Sequence, residues 1–226
     1  MHALHNCIWQ ALTTRQAQFA ESFRQARRFV REVTSLCAFE EPSSQGYEAL
    51  GELVGVRGTA AVFLDNAYQA RPGWELLAGA PLLEMVCESG RQSISDSSPG
   101  IIQLGAQDAA DMVELATLTK PGPFGLRTHE LGTYVGIRCA GQLVAMAGER
   151  LKVPGYTEVS AVCTHPDHTG KGYARVLMAE VMRGIRERGE IPFLHVRQDN
   201  ARAVALYERL GFRTRSTVHY AVLRKV

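Results

Sequence analysis

No apolar run in this sequence approaches the roughly 20 residues that a helix needs to span a bilayer. The opening stretch, MHALHNCIWQALTTRQ, has neither the charged start nor the apolar middle of a secretory leader. The five cysteines (Cys7, Cys37, Cys87, Cys139 and Cys163) are odd in number and scattered, with no Cys-x-x-Cys pair. That spacing fits reduced thiols in a cytosol better than a disulfide framework. Net charge is only +2, far from the basic footprint of a dedicated nucleic-acid binder. The expectation is a soluble, cytoplasmic protein that takes neither nucleic acid nor membrane as partner. What remains is ordinary globular material: 226 residues, 46% hydrophobic and 21% charged, enough for one large core or a domain with a small companion.

The sharpest shift in composition is SGRQSISDSSPG at 89–100, which reads as a linker. It divides the chain into an N-terminal α/β subdomain over 1–88, without an assignable role, and a second domain over 101–226. In the first part, Leu12, Phe19, Phe23 and Ala26 recur at helical spacing and predict a helix over about 5–27. TAAVFLD (59–65) and PLLEMVCE (81–88) read as short strands.

The second part is more legible. A helix over 108–119 stops at KPGPFG, whose prolines cannot continue it. A hairpin over 132–151 turns at Ala140-Gly141, and YTEVSAVCTHP (156–166) is a β-branched strand. A helix over 172–188 carries Leu177, Met178, Val181, Met182 and Ile185 on one face, with Gly189 just past its end. A strand (191–196), a helix (200–210) and a last strand (217–225) complete a sheet with at least one parallel crossover.

Between strand and helix lies HPDHTGKGYARVLM. Glycines let the backbone approach a ligand closely, and a helix N-terminus favours negative charge, so this loop has the parts of a phosphate cradle. It is not a P-loop, because His165 stands five residues before Gly170 and Lys171 is followed by Gly172. It is not a dinucleotide fingerprint either, since Arg175 stands where the third glycine belongs. A turn built on glycine for backbone geometry alone remains an alternative at this point.

Thr169-Gly170-Lys171-Gly172-Tyr173-Ala174, followed by DNARAVALYERLGF (199–212), resembles the GNAT superfamily of acyl-CoA-dependent N-acyltransferases. One departure is Thr169, where the family usually has Arg or Gln. The resemblance implies a mixed, splayed sheet flanked by helices, with acetyl-CoA as cosubstrate. It implies that the coenzyme A pyrophosphate sits on the amides of Gly170 to Ala174. The pantetheine arm would then pair with Val162, Cys163 and Thr164, and Asn200 would contact it from the far side. Tyr207, seven residues after Asn200, is implied to protonate the departing sulfur, and Glu158 to take the proton of the amine. Stretches such as GYTEVSAVCTHPDHTGKGYA look most like glycine N-acyltransferase-like enzymes, which suggests an amino acid or other small amine as acceptor.

Cys163, His165 and His168 lack a further ligand, so no metal is expected. His195 reads as a core histidine, and Glu130 and Glu149 as structural charges. A non-catalytic acyl-CoA sensor and a protein or peptide acetyltransferase remain as alternatives, and a homodimer is left open.

Overall fold

The computed structural model describes residues 2–88 and 100–226; the expected linker falls almost wholly outside them. The chain opens with α1 (Cys7–Thr13), then the short strands β1 (Ala20–Phe23), β2 (Ala26–Phe29) and β3 (Cys37–Phe39), which form a small antiparallel sheet. Then come α2 (Ser44–Val54), β4 (Thr59–Leu64) and the long β5 (Trp74–Val86). After residue 100 follow β6 (Ile101–Leu104), α3 (Ala109–Thr119), β7 (Tyr134–Cys139), β8 (Gln142–Val153) and β9 (Tyr156–Thr164). The chain then runs through α4 (Tyr173–Glu187), β10 (Ile191–Arg197), α5 (Ala201–Arg209) and β11 (Arg213–Lys225).

The other eight strands form one sheet in the order β4-β11-β5-β10-β9-β8-β7-β6. Only β9 and β10 run parallel, as a strand–helix–strand crossover through α4 requires. The mixed α/β architecture expected from the sequence is present. The division at residue 88 is not, because β5 is hydrogen-bonded to β10 on one side and to β11 on the other. Residues 59–86 are therefore part of the main sheet rather than of a separate subdomain. Among the described residues, no helix is long and apolar enough to cross a membrane.

One face of the sheet is covered by α4, whose Leu177, Met178, Val181, Met182 and Ile185 meet Val159, Leu194 and Val196. On the other face, Cys7, Ile8, Ala11 and Leu12 of α1 pack on Leu151, Val153 and Phe193. Met112 and Leu115 of α3 cover Met146, Ala161 and Cys163 nearby.

The helix expected over 5–27 ends at Thr13. Phe19, Phe23 and Ala26 belong instead to a turn and hairpin in which Arg24 adopts φ 48°. Two adjacent β-branched residues, Thr13 and Thr14, weaken the helix there, and burial of Phe29 and Ala26 in two different clusters rewards the hairpin. By contrast, the turn at Ala140-Gly141 is as expected, with both residues at positive φ as a two-residue hairpin loop demands.

Gly148 lies opposite the fully buried Tyr134, and a Cβ there would sit 2.2 Å from the ring. Gly148→Ala is therefore expected to cost about 1–3 kcal/mol. Urea unfolding measures it, and an unchanged midpoint would contradict the packing described.

Candidate active site

β9 and β10 are paired only over Tyr156–Glu158 and Ile191–Phe193, although each strand runs on beyond that point. A β-bulge lies where they part: Ala161 has φ 53°, and the register with β8 slips between Ser160 and Cys163. The slip swaps the faces of the strand. Val159 and Val162 point towards α4, while Ala161 and Cys163 point towards α3. Past the bulge, Val162, Cys163 and Thr164 line a cavity of about 610 Å³ together with His195, Val196, Asn200 and Tyr207.

The loop after β9 lines an adjoining cavity of about 400 Å³ that shares Val162, Cys163, Thr164, Asn200, Arg202 and Tyr207 with the first. Gly170 and Gly172 both sit at φ 79°, a conformation open to glycine at little cost. Gly172 is the N-cap of α4, with no side-chain cap and no acidic residue in the first turn. Among the described residues, the amides of Gly170, Lys171 and Gly172 donate to no protein acceptor. Unpaired donors and the helix dipole both face this cavity, and Lys171, Arg175 and Arg202 lie around it. The Thr169 hydroxyl donates to the Pro166 carbonyl at 3.1 Å, so it fixes the loop.

Asn200 caps α5, its side-chain oxygen accepting from the Ala203 amide at 3.1 Å. The side-chain NH2 is left to face the shared cavity. Tyr207 follows two turns later, buried beside Cys163, and its hydroxyl has no hydrogen-bond partner among the described residues. Burial pushes the phenol up to about 12, so it stays protonated through the neutral range. Burial likewise pushes the Cys163 thiol up to about 11, which leaves it unreactive as a nucleophile. The rings of His165 and His168 lie edge to face at 5.8 Å on the loop.

Glu158 is placed differently from the expectation. It lies before the bulge, fully buried, and Arg150 donates to its two oxygens at 2.8 and 2.7 Å. The Leu151 amide adds a third contact at 3.3 Å, and the ring of His195 a fourth at 2.7 Å. Burial alone would raise this carboxyl; the Arg150 guanidinium overrides that and holds it at about 2. So held, Glu158 lines neither cavity itself, and its contact with the larger one runs through the ring of His195. Its work is to keep Arg150 and His195 in place.

Sequence reasoning missed Arg150 and Glu84. Glu84 stands in the apolar run PLLEMV and Arg150 follows the apolar run QLVAMAG, and a charge in such a setting was the available signal. His195 proves to be more than a packing residue, since its side chain is sealed between two carboxylates, Glu158 and Glu84. Burial disfavours a charged ring, yet the Cys7 thiol and the two carboxylates raise its pKa well above 6.5. Glu149 is buried and paired with Arg188 and Lys152, while Glu130 binds Arg127 at the surface.

A split between parallel strands, beside a glycine loop with free amides and a helix N-terminus, defines an acyl-CoA-binding transferase. Comparison with known proteins narrows this further. The family described as FR47-like protein matches residues 134–221. An acetyltransferase of the GNAT family from Novosphingobium aromaticivorans superposes with a TM-score of 0.92 over 100% of both chains, at 34% identity. N-alpha-acetyltransferase RimI of Mycobacterium tuberculosis is 34% identical over 132 residues, which are 52% of this chain and 81% of that protein. Mycothiol acetyltransferase of Saccharomonospora viridis is 44% identical over 66 residues, covering 28% of this chain and 22% of its own. The chain belongs to the GNAT family. It is an acyl-CoA-dependent acetyltransferase whose cosubstrate is acetyl-CoA and whose second substrate is an amine.

The ion pair of Arg150 and Glu158 makes stability depend on acid. The folded carboxyl titrates below its ordinary value of 4.5, so its contribution is complete above that pH and fades as pH falls towards 2. Glu158→Gln should flatten this part of the stability curve and, by stranding Arg150, cost about 3–5 kcal/mol at neutral pH. Urea unfolding over a pH series checks both; parallel curves for the two proteins would exclude the pairing.

Proposed function

We propose that this protein acetylates the primary amine of a small acceptor carrying an anionic group, such as an amino acid, by direct attack within a ternary complex. The observation that carries this reading is the wall of the larger cavity. Its charged side chains among the described residues are Lys120, Arg150, Arg197 and Arg202, with no carboxylate. Arg150 and Arg197 have partners in Glu158 and Asp199, but Lys120 and Arg202 have none among the described residues. A polyamine, an aminoglycoside or a lysine-rich peptide would meet repulsion there, whereas a carboxylate would be attracted. Leu36, Phe63, Ala80 and Leu82 close the far side, which favours a small molecule over a long peptide. The resemblance to glycine N-acyltransferase-like enzymes supports the same acceptor class.

In this mechanism the coenzyme A pyrophosphate rests on the amides of Gly170 to Ala174. The arm lies along Val162, Cys163 and Thr164, with Asn200 opposite. The amine nitrogen attacks the thioester carbon, the C–S bond breaks, and the sulfur takes the Tyr207 proton as charge develops on it. With Glu158 locked in its ion pair, the amine gives its proton to solvent in the cleft. Turnover should accordingly rise with pH as the acceptor's own ammonium ionises.

The test is coenzyme A release, followed by chromatography, against carboxylate-bearing amines and their esters or amides. The free carboxylates should turn over with the lower KM; a preference for the neutral or polycationic amines would refute the acceptor class. Tyr207→Phe should lower kcat by about 10²-fold or more while acetyl-CoA affinity stays the same. Gly172→Glu, which forces a side chain into a φ of 79° and puts negative charge in the cradle, should abolish acetyl-CoA binding. Normal affinity in that variant would move the phosphate elsewhere.

A further inference from the structure

Beneath the wall of the cleft, three ligand-bearing side chains from distant parts of the chain converge. Cys7 of α1, Glu84 of β5 and His195 of β10 each bring one ligand atom within 4.8 Å of the other two. The strands β5 and β10 hold Glu84 and His195 directly opposite one another. His195 Nε2 and Glu84 Oε2 are 3.6 Å apart, within ion-pair reach but too far for a hydrogen bond, and among the described residues neither buried atom has a hydrogen-bond partner. Their side chains are 2% and 1% exposed. Two buried polar atoms aimed at one gap, with a thiol beside it, are costly unless something fills the gap.

From this geometry we infer a binding site for a zinc-like divalent cation, with Cys7 Sγ, Glu84 Oε2 and His195 Nε2 as its ligands. A tetrahedral zinc holding these donors sets the N···O edge at about 3.4 Å and the S···N edge at about 3.6 Å. The observed N···O separation already fits, and the thiol needs a shift of about 1 Å at most. Two of the three ligands are also oriented from behind, as metal ligands usually are. The opposite ring nitrogen of His195 meets Glu158 at 2.7 Å, and Glu158 is itself fixed by Arg150. The other oxygen of Glu84 accepts from Arg215 and from the Ser216 hydroxyl.

A dication bound there takes the Cys7 sulfur as a thiolate and the His195 ring as a neutral imidazole. A thiolate, an imidazole and one carboxylate form a donor set suited to zinc rather than to magnesium or calcium. Bound there, the ion fastens α1 to β5 and β10. The acetyl transfer above requires no ion, and nothing in this site rests on the choice of acceptor.

The experiment uses the full chain, stripped of metal and titrated with Co²⁺. Uptake of one equivalent with a thiolate-to-cobalt charge-transfer band is expected, together with a rise in Tm when Zn²⁺ is added. Cys7→Ser should abolish the band, Glu84→Gln should weaken binding by about 10-fold or more, and Cys139→Ser should leave both unchanged. Far-UV circular dichroism confirms folding of each variant, and Glu84→Gln, which nearly preserves volume, serves if Cys7→Ser does not fold. No saturable uptake, or a band that survives in Cys7→Ser, would overturn the site.

Discussion

Three residues of parallel pairing, and then a parting, organise this molecule. If β9 and β10 stayed together along their lengths, the backbone of Val162, Cys163 and Thr164 would be spent on the sheet. Because they part, that edge is available to a ligand, and α4 and α5 start on either side of the gap. The bulge at Ala161 accompanies the separation and decides which side chains enter the gap. It sends Val162 and Thr164 one way and Cys163 the other, and it leaves Glu158 behind in the paired part of the strand. The anion cradle, the phenol of Tyr207 and the cap at Asn200 are arranged around that opening.

The paired end of the same strands carries the opposite solution. Arg150, Glu158, His195, Glu84 and Arg215 form a chain of alternating basic and acidic groups in a setting where a lone charge would be very expensive. Such a chain adds little net stability compared with an apolar core of the same volume, but it tolerates no missing member. It therefore fixes the relation of β8, β9, β10 and β5 just below the point where the cleft opens. A rigid base under an open split keeps the reacting groups in register.

Much of the domain after residue 100 was legible because its signals are local. The apolar stripe of α4, the stop at Gly189, the turn at Ala140-Gly141 and the glycine loop each need only neighbouring residues to be read. Tyr207 and Asn200 were singled out by the resemblance to the GNAT superfamily, and their seven-residue spacing puts them on one helix face. What escaped were features decided by distant partners. The helix of α1 looked longer because Phe19 and Ala26 continue its period, while their burial against separate clusters lies outside any window of sequence. The resemblance implied Glu158 as the base, but one residue with a left-handed backbone, Ala161, shifts the strand's parity between Glu158 and the cleft-lining Val162. Glu84 was passed over within an apolar run, since its partners, His195 and Arg215, come more than a hundred residues later.

The position of β5 also has a consequence for how the chain is made. Synthesised early, it has no neighbour in the main sheet until β10 emerges on one side and β11 on the other. Throughout that interval a long strand waits with both edges bare, a condition that invites pairing with other chains. Closure comes with the thirteen residues of β11, which join β5 to β4 in a single step. The active cleft is thus assembled last, by contacts of long sequence separation, and refolding of the whole chain should be slower than a helical protein of equal size would manage.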